Sequence, residues 1–193
     1  MRLPSYRNIT FLLAIAALFT ISACFAAENE VRVDLQVNLF MKILRYDRNI
    51  ASRGEEGLKL GILYNPEDKN SLKFKDGFVE EFNLLDEKSV NDIPMLLIPI
   101  RGTEEISKAI ASYHIGLLYI GHGFDNQLNS ILMKCHESSI LTLTGVPEYA
   151  ERGVAVGLGV KDGKPEIIIN HTVAKEVGAD FSADILKLAR VLK

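Results

Sequence analysis

The chain contains no tryptophan and only two cysteines among its 193 residues. One of them, Cys24, lies in an amino-terminal stretch with the pattern of an export signal, and the other is Cys135. Once that stretch is removed, Cys135 has no partner in the chain, so an intramolecular disulfide is impossible. A fold that depends on disulfide bridges is therefore excluded.

The amino-terminal apolar run, residues 11–19, is about half as long as the roughly 20 residues that span a bilayer as a helix. It follows Arg2 and Arg7 and precedes small residues, which is typical of a signal peptide. We predict that residues 1–26 are this signal and that 27–193 form a protein exported out of the cytoplasm. Alternatively, Ile21-Ser22-Ala23 before Cys24 resembles a lipobox, at which bacterial lipoproteins are cut and acylated, and lipidated Cys24 would then anchor the protein.

Positive charge is also scarce. The chain has 22 lysines and arginines against 25 aspartates and glutamates, for a net charge of −3. Loss of the signal removes Arg2 and Arg7 but no acidic residue, so the mature chain becomes two charges more negative. Such a surface does not attract nucleic acid, and we expect no nucleic-acid partner.

Four apolar runs typical of strands alternate with helical patterns along the middle of the chain. The strands are predicted at 58–64, 95–100, 115–120 and 140–144, and the helices at 31–46, 71–82, from Thr103 onward and at 125–135. Most of the runs are continuously apolar, as expected of parallel strands covered on both faces. We predict a single three-layer α/β domain with a mixed sheet of four mostly parallel strands flanked by helices.

The end of the chain adds an antiparallel hairpin and two helices. Asp162-Gly163 separates apolar runs at 154–160 and 166–169, as in a tight hairpin turn. Asn170 is placed to cap a short helix over 171–177 that ends at Gly178. A final helix is predicted from Asp180 or Ser182 to the carboxyl terminus. Its buried face is formed by Phe181, Ile185, Leu188 and Leu192, whereas Asp184, Lys187 and Arg190 point away.

Open α/β sheets bind ligands beyond the carboxyl ends of their parallel strands. The polar residues that this chain places there are Asn65, Arg101, Thr103, His122 and Thr144. We expect their loops to converge on one edge of the sheet and to bind a ligand or a partner.

The sequence shows no pattern that carries catalysis or metal binding. Gly121-His122-Gly123 resembles an esterase oxyanion loop, but a nucleophile in a setting like Gly-x-Ser-x-Gly is missing. The histidines and Cys135 lack the spacings that preorganise a metal site. We therefore predict a protein without enzymatic activity, metal or cofactor, in which Cys135 is a buried apolar residue.

The end of the chain contains Ile167-Ile168-Ile169-Asn170, Ala174, Gly178-Ala179 and Ile185-Leu186-Lys187-Leu188-Ala189-Arg190. These residues resemble the tail of the YfiR/HmsC-like family of secreted bacterial proteins, and the likeness covers most of the chain after residue 26. Upstream, Ile140-Leu141-Thr142-Leu143-Thr144 and Tyr149-Ala150-Glu151-Arg152-Gly153 are similar to the strand and loop that lead into the family's glycine-rich strand.

The resemblance implies a periplasmic regulator that binds the sensor domain of an inner-membrane signalling protein, represses a diguanylate cyclase and forms a homodimer. Cyclic di-GMP and biofilm formation would be its outputs. The alternative partner is another sensor, such as a histidine kinase. Leu44-Arg45-Tyr46-Asp47-Arg48 stands where many relatives have an aromatic stretch with Trp-Pro, and the cysteine pairs of some repressors are missing. Redox control is therefore not implied. The alternative is a periplasmic small-molecule binding protein with a pocket at the strand-end loops.

Overall fold

The computed structural model describes residues 30–54 and 56–192. The predicted signal peptide and Cys24 lie outside these residues. Within the described ranges, no helix combines the length and the apolar character needed to cross a membrane.

The helices are α1 (Val33–Leu44), α2 (Lys69–Leu84), α3 (Ile106–Tyr113), α4 (Leu128–Glu137), α5 (Pro147–Glu151), α6 (His171–Glu176) and α7 (Ala183–Leu188). The strands are β1 (Leu58–Tyr64), β2 (Ser89–Val90), β3 (Ile93–Arg101), β4 (Leu117–Ile120), β5 (Leu141–Thr144), β6 (Val156–Lys161), β7 (Lys164–Asn170) and β8 (Arg190–Leu192). Short 3₁₀ turns occupy Ile50–Arg53 and Thr103–Glu105.

The strands form one mixed sheet in the order β2-β3-β1-β4-β5-β6-β7-β8. Strands β3, β1, β4, β5 and β6 are parallel, β2 and β7 run antiparallel to β3 and β6, and β8 is parallel to β7. The predicted mixed α/β domain is confirmed. The chain leaves β1 toward β3 on one side and leaves β4 toward β5 on the other. The topological switch point therefore lies between the carboxyl ends of β1 and β4.

Two apolar cores cover the two faces of the sheet. One packs α1, α2 and α7 against the sheet around Phe40, Phe78 and Leu60. The other packs α3 and α4 against the opposite face around Leu118 and Ile131. All residues of β4 and β5 are buried, which agrees with their continuous apolar sequence.

The turn and capping signals of the last third act as predicted. Asp162 and Gly163 both have positive φ angles, of 52° and 72°, which a two-residue turn between β6 and β7 requires. The Asn170 side chain accepts a hydrogen bond of 3.2 Å from the Val173 N–H and caps α6. Gly178 follows that helix with φ of 85°.

The predicted final helix is wrong beyond Leu188. Phe181 and Ile185 are buried as expected, but α7 ends at Leu188, whose side chain is 72% exposed. The chain then becomes extended and forms β8 alongside β7. Leu192 accordingly lies in a strand, and it does not continue the helix face.

The ion pairs of Arg190 explain part of the change from helix to strand. Arg190 was expected to point into solvent, but it pairs with two carboxylates. Its guanidinium lies 2.6 Å from a carboxylate oxygen of Glu151 and 3.0 Å from one of Glu166. Strand β8 also pairs with backbone groups on the outer edge of β7, which a helix would leave unpaired. These long-range contacts override the helical spacing of the apolar residues.

Candidate functional site

The loops that follow β1, β3, β4 and β5 lie at one edge of the sheet, as predicted, because these strands are parallel neighbours. We call it the strand-end edge. The Asn65 side chain donates a 3.3 Å hydrogen bond to the Gly123 carbonyl and so joins the loops after β1 and β4. Gly123 has φ of 83°, and a side chain there would crowd Asn65 and Asp68. The switch point is therefore tightly closed by the chain itself.

Asn65 and Thr103 line a small cleft of about 220 Å³ at this edge. Phe124 and Gln127 contribute its other side, and Glu67 and Glu104 bring carboxylates to it. The cleft therefore offers amide, hydroxyl and carboxylate groups but little apolar surface, a composition that suits hydrogen bonding to polar groups.

His122 is not among the residues that line this cleft, and it pairs with the amino-terminal segment. Its Nε2 atom is 3.2 Å from Oε2 of Glu30, and its side chain is 25% exposed. The hydrogen bond to Glu30 raises the pKa of His122, the charges of Asp68 and Asp125 add to this, and partial burial opposes it. The Phe74 ring packs edge-on against the imidazole at 6.1 Å between centroids. The histidine is thus placed to carry a positive charge over a wider pH range than a free one.

A buried polar network holds the amino-terminal segment over the ends of β4 and β5. The Gln36 amide donates to the Val31 carbonyl at 2.7 Å and accepts from the Tyr119 hydroxyl at 2.9 Å. The Tyr119 oxygen in turn accepts the Gly145 N–H at 2.8 Å. Sequence reasoning missed these residues, although a glutamine on the apolar face of α1 was a usable signal of a buried hydrogen bond.

Arg101 and Thr144 do not join the cleft. Arg101 lies at the end of β3 with an exposed side chain, while its N–H donates to Glu105 at 3.0 Å. Thr144 is fully buried, and its hydroxyl donates to the Ile120 carbonyl at 2.9 Å and accepts the Val146 N–H at 3.1 Å. The Thr144 hydroxyl therefore shapes the loop after β5 and is not open to solvent.

The remaining reactive side chains are held in structural contacts. Cys135 is buried, as predicted, and burial raises the pKa of its thiol to about 12, so it is a poor nucleophile. The Tyr149 hydroxyl accepts the Phe124 N–H at 3.0 Å and donates to Asp125 at 3.1 Å. Over residues 30–54 and 56–192, no three acidic, histidine or cysteine side chains gather in a way that would hold a metal ion.

Several solved structures share the fold. One is a conserved domain protein from Vibrio cholerae O1 biovar El Tor, with 16% identity, a TM-score of 0.60, and coverage of 83% of this chain and 60% of that chain. Another is the open, ligand-free form of a substrate-binding protein with adhesive properties from Clostridium difficile, with 16% identity, a TM-score of 0.50, and coverage of 75% and 57%. A third is the ABC domain in complex with L-Trp from Streptococcus pneumoniae, with 12% identity, a TM-score of 0.55, and coverage of 79% and 61%.

At these identities the likeness concerns the fold alone, and the chain spans only about three fifths of each of these structures. No curated protein is significantly similar to the chain. The profile of the YfiR/HmsC-like family, in contrast, matches residues 33–190, from the first residue of α1 to the first residue of β8. The match confirms the resemblance found in the carboxyl-terminal third and supports a regulatory role in general. The protein therefore belongs to the YfiR/HmsC-like family.

Proposed function

We propose that this protein is a periplasmic, non-enzymatic regulator that binds the sensor domain of an inner-membrane signalling protein and represses a diguanylate cyclase. The observation that carries the proposal is the family match, which covers nearly the whole described domain. Export through the signal at 1–26, with or without lipidation of Cys24, and assembly as a homodimer are parts of the same proposal.

The closed strand-end edge supports a protein partner over a metabolite. Pockets that enclose small molecules usually measure about 300–1,000 Å³, and the cleft at Asn65 and Thr103 measures about 220 Å³. The Asn65 contact to Gly123 and the Glu30 contact to His122 fill the neighbouring switch point. A protein partner needs only the outer surface of these loops.

A repressor that acts by binding favours the inactive form of its partner through its differential affinity for the two forms. Deleting the gene should therefore raise cyclic di-GMP and biofilm matrix, and a secreted copy should restore the low level. A copy that lacks residues 1–26 is the control, because it should stay in the cytoplasm and fail to restore repression. Unchanged cyclic di-GMP after deletion, or rescue by the cytoplasmic copy, would contradict the proposal.

The second candidate is small-molecule binding, and two of the similar folds favour it. One belongs to a substrate-binding protein and the other to a domain in complex with L-Trp. Thermal-shift screening with amino acids and other metabolites separates the candidates. The regulator is expected to co-purify with a membrane protein and to show no metabolite shift that Asn65→Ala in the strand-end cleft abolishes. The binding protein is expected to show the reverse.

A further inference from the structure

Two recesses lie at the opposite edge of the sheet, where the parallel strands begin, and both are larger than the strand-end cleft. One recess of about 460 Å³ is lined by Ser52, Arg53, Gly54, Glu56, Gly57, Lys59 and His114. A second, of about 300 Å³, is lined by residues that include Arg53, Gly116, Ser139 and Val177. Arg53 belongs to both, and we call the combined space the Arg53 cavity.

Arg53 lines both recesses, and its side chain is held by contacts within the protein. It is only 5% exposed, and its Nε atom lies 3.3 Å from Oδ2 of Asp47. Its two terminal nitrogens donate to the carbonyls of Ser139 at 3.0 Å and Val177 at 3.1 Å. A guanidinium has five N–H donors. Two N–H groups are therefore left without a protein acceptor among the described residues.

The backbone around Arg53 is built for this position. A side chain at Gly116 would collide with the Arg53 carbonyl, and a side chain at Gly54 would collide with that of Gly57. Gly116 lets the turn of Ile50–Arg53 lie directly against the start of β4. The guanidinium is held in one place by Asp47 and by the carbonyls of Ser139 and Val177 before any ligand arrives, which lowers the entropic cost of binding.

Further donors line the larger recess. Lys59 is half-buried in β1, and its ammonium forms no ion pair with the described part of the chain. His114 ends α3 with φ of 52° and adds an imidazole. Among the described residues that line the recesses, Glu56 is the one carboxylate, and the neighbouring Glu55 lies outside the described ranges. Asp47 is already bonded to Arg53 and to the N–H groups of Asn49 and Asp180.

We propose that the Arg53 cavity binds a small oxyanion, a carboxylate or a phosphate, with Arg53 and Lys59 as its hydrogen-bond donors. Planar guanidinium groups match the oxygen spacing of both anions, and a nearby ammonium adds a point charge. The site is independent of the proposed regulatory function, because it uses none of the strand-end residues.

The test uses the mature chain and titrates inorganic phosphate and, separately, acetate against sodium chloride at matched ionic strength. Amide shifts at Gly57 and Gly116 and the thermal midpoint are the readouts. The first anion to saturate these shifts identifies the ligand class. Loss of one charge-assisted hydrogen bond in Lys59→Met should weaken binding about tenfold, whereas Lys108→Met, on the exposed face of α3, should leave it unchanged.

His114→Gln serves as a second variant if Lys59→Met fails to fold, and it should weaken binding less. Saturable shifts at Gly57 and Gly116 that are lost in Lys59→Met and kept in Lys108→Met support the site. The proposal is overturned if neither anion shifts these amides beyond the chloride control. Equal loss in the Lys59 and Lys108 variants also overturns it, since this indicates an adventitious ion only.

Discussion

The Nε atom of Arg53 lies 3.3 Å from Oδ2 of Asp47, and the two side chains are 5% and 0% exposed. Burial lowers the pKa of Arg53, and the charge of Asp47 and the hydrogen bond to it oppose that effect. Asp47 also accepts the N–H groups of Asn49 at 3.0 Å and Asp180 at 2.8 Å. One carboxylate thus ties the end of α1 to the segment that precedes α7.

Asp47→Ala should lower the free energy of unfolding by about 3–5 kcal/mol, because it leaves a buried cation and two N–H groups without their acceptor. Urea denaturation measures the loss. Asp184→Ala is the matched control, since its carboxylate is 81% exposed and its pair with Lys187 spans 4.0 Å. That change should cost less than about 0.5 kcal/mol. Equal midpoints for the two variants would show that Asp47 does not hold these segments together.

The pair of His122 and Glu30 should make stability depend on pH. Because the pKa of His122 is raised in the folded protein, its contribution is fully present below the ordinary histidine pKa and is lost as pH rises through the folded value. The two side chains are 25% and 36% exposed. Solvent screening therefore keeps the expected contribution near 0.5 kcal/mol.

Glu30→Gln should thus destabilise the protein at pH 6 and leave stability unchanged at pH 9. The His122 pKa, followed by NMR titration of the imidazole, should fall in this variant. Glu176→Gln is the control. Glu176 and His136 form a similar pair at 3.6 Å, but this pair lies at a different edge of the sheet from His122, so its loss should not change the His122 titration. A His122 titration that is the same in the parent and in Glu30→Gln would rule out the pairing.

The two apolar positions of α7 should respond very differently to a charge. Ile185→Asp should cost at least about 3 kcal/mol, since it removes a buried side chain and adds an unpaired carboxylate. Leu188→Asp should change stability by no more than about 0.5 kcal/mol, because Leu188 is 72% exposed. Chemical denaturation of both variants tests the end of the helix. Comparable losses would restore the longer helix that the spacing of the residues indicates.

Local signals in the sequence were reliable where the structure depends on neighbouring residues. Asp162-Gly163 turns the hairpin and Asn170 caps α6, because both effects act within a few residues. Strand β8 could not be predicted from such local signals. Its existence depends on pairing with β7 and on the contacts of Arg190 to Glu151 and Glu166, which are distant in sequence.

In the candidate site, too, some features were predictable from the sequence and others were not. Topology alone predicted that the loops at Asn65, Thr103 and His122 meet at one edge of the sheet, since parallel neighbouring strands end together. The depth of each side chain was not predictable. Thr144 is interior because its hydroxyl bonds across to β4, and Arg53 is interior because Asp47 follows α1 at the right distance. Such burial depends on contacts that no local pattern encodes.

The polar network of Gln36 and Tyr119 fixes Val31, near the first described residue, at the strand-end edge. The connection from Cys24 to Glu30 is six residues long, and it reaches at most about 20 Å when fully extended. If Cys24 is lipidated, this short connection would keep the strand-end edge close to the bilayer. The Arg53 cavity, at the far end of the strands, would then face away from the membrane and sample the solutes of the surrounding compartment.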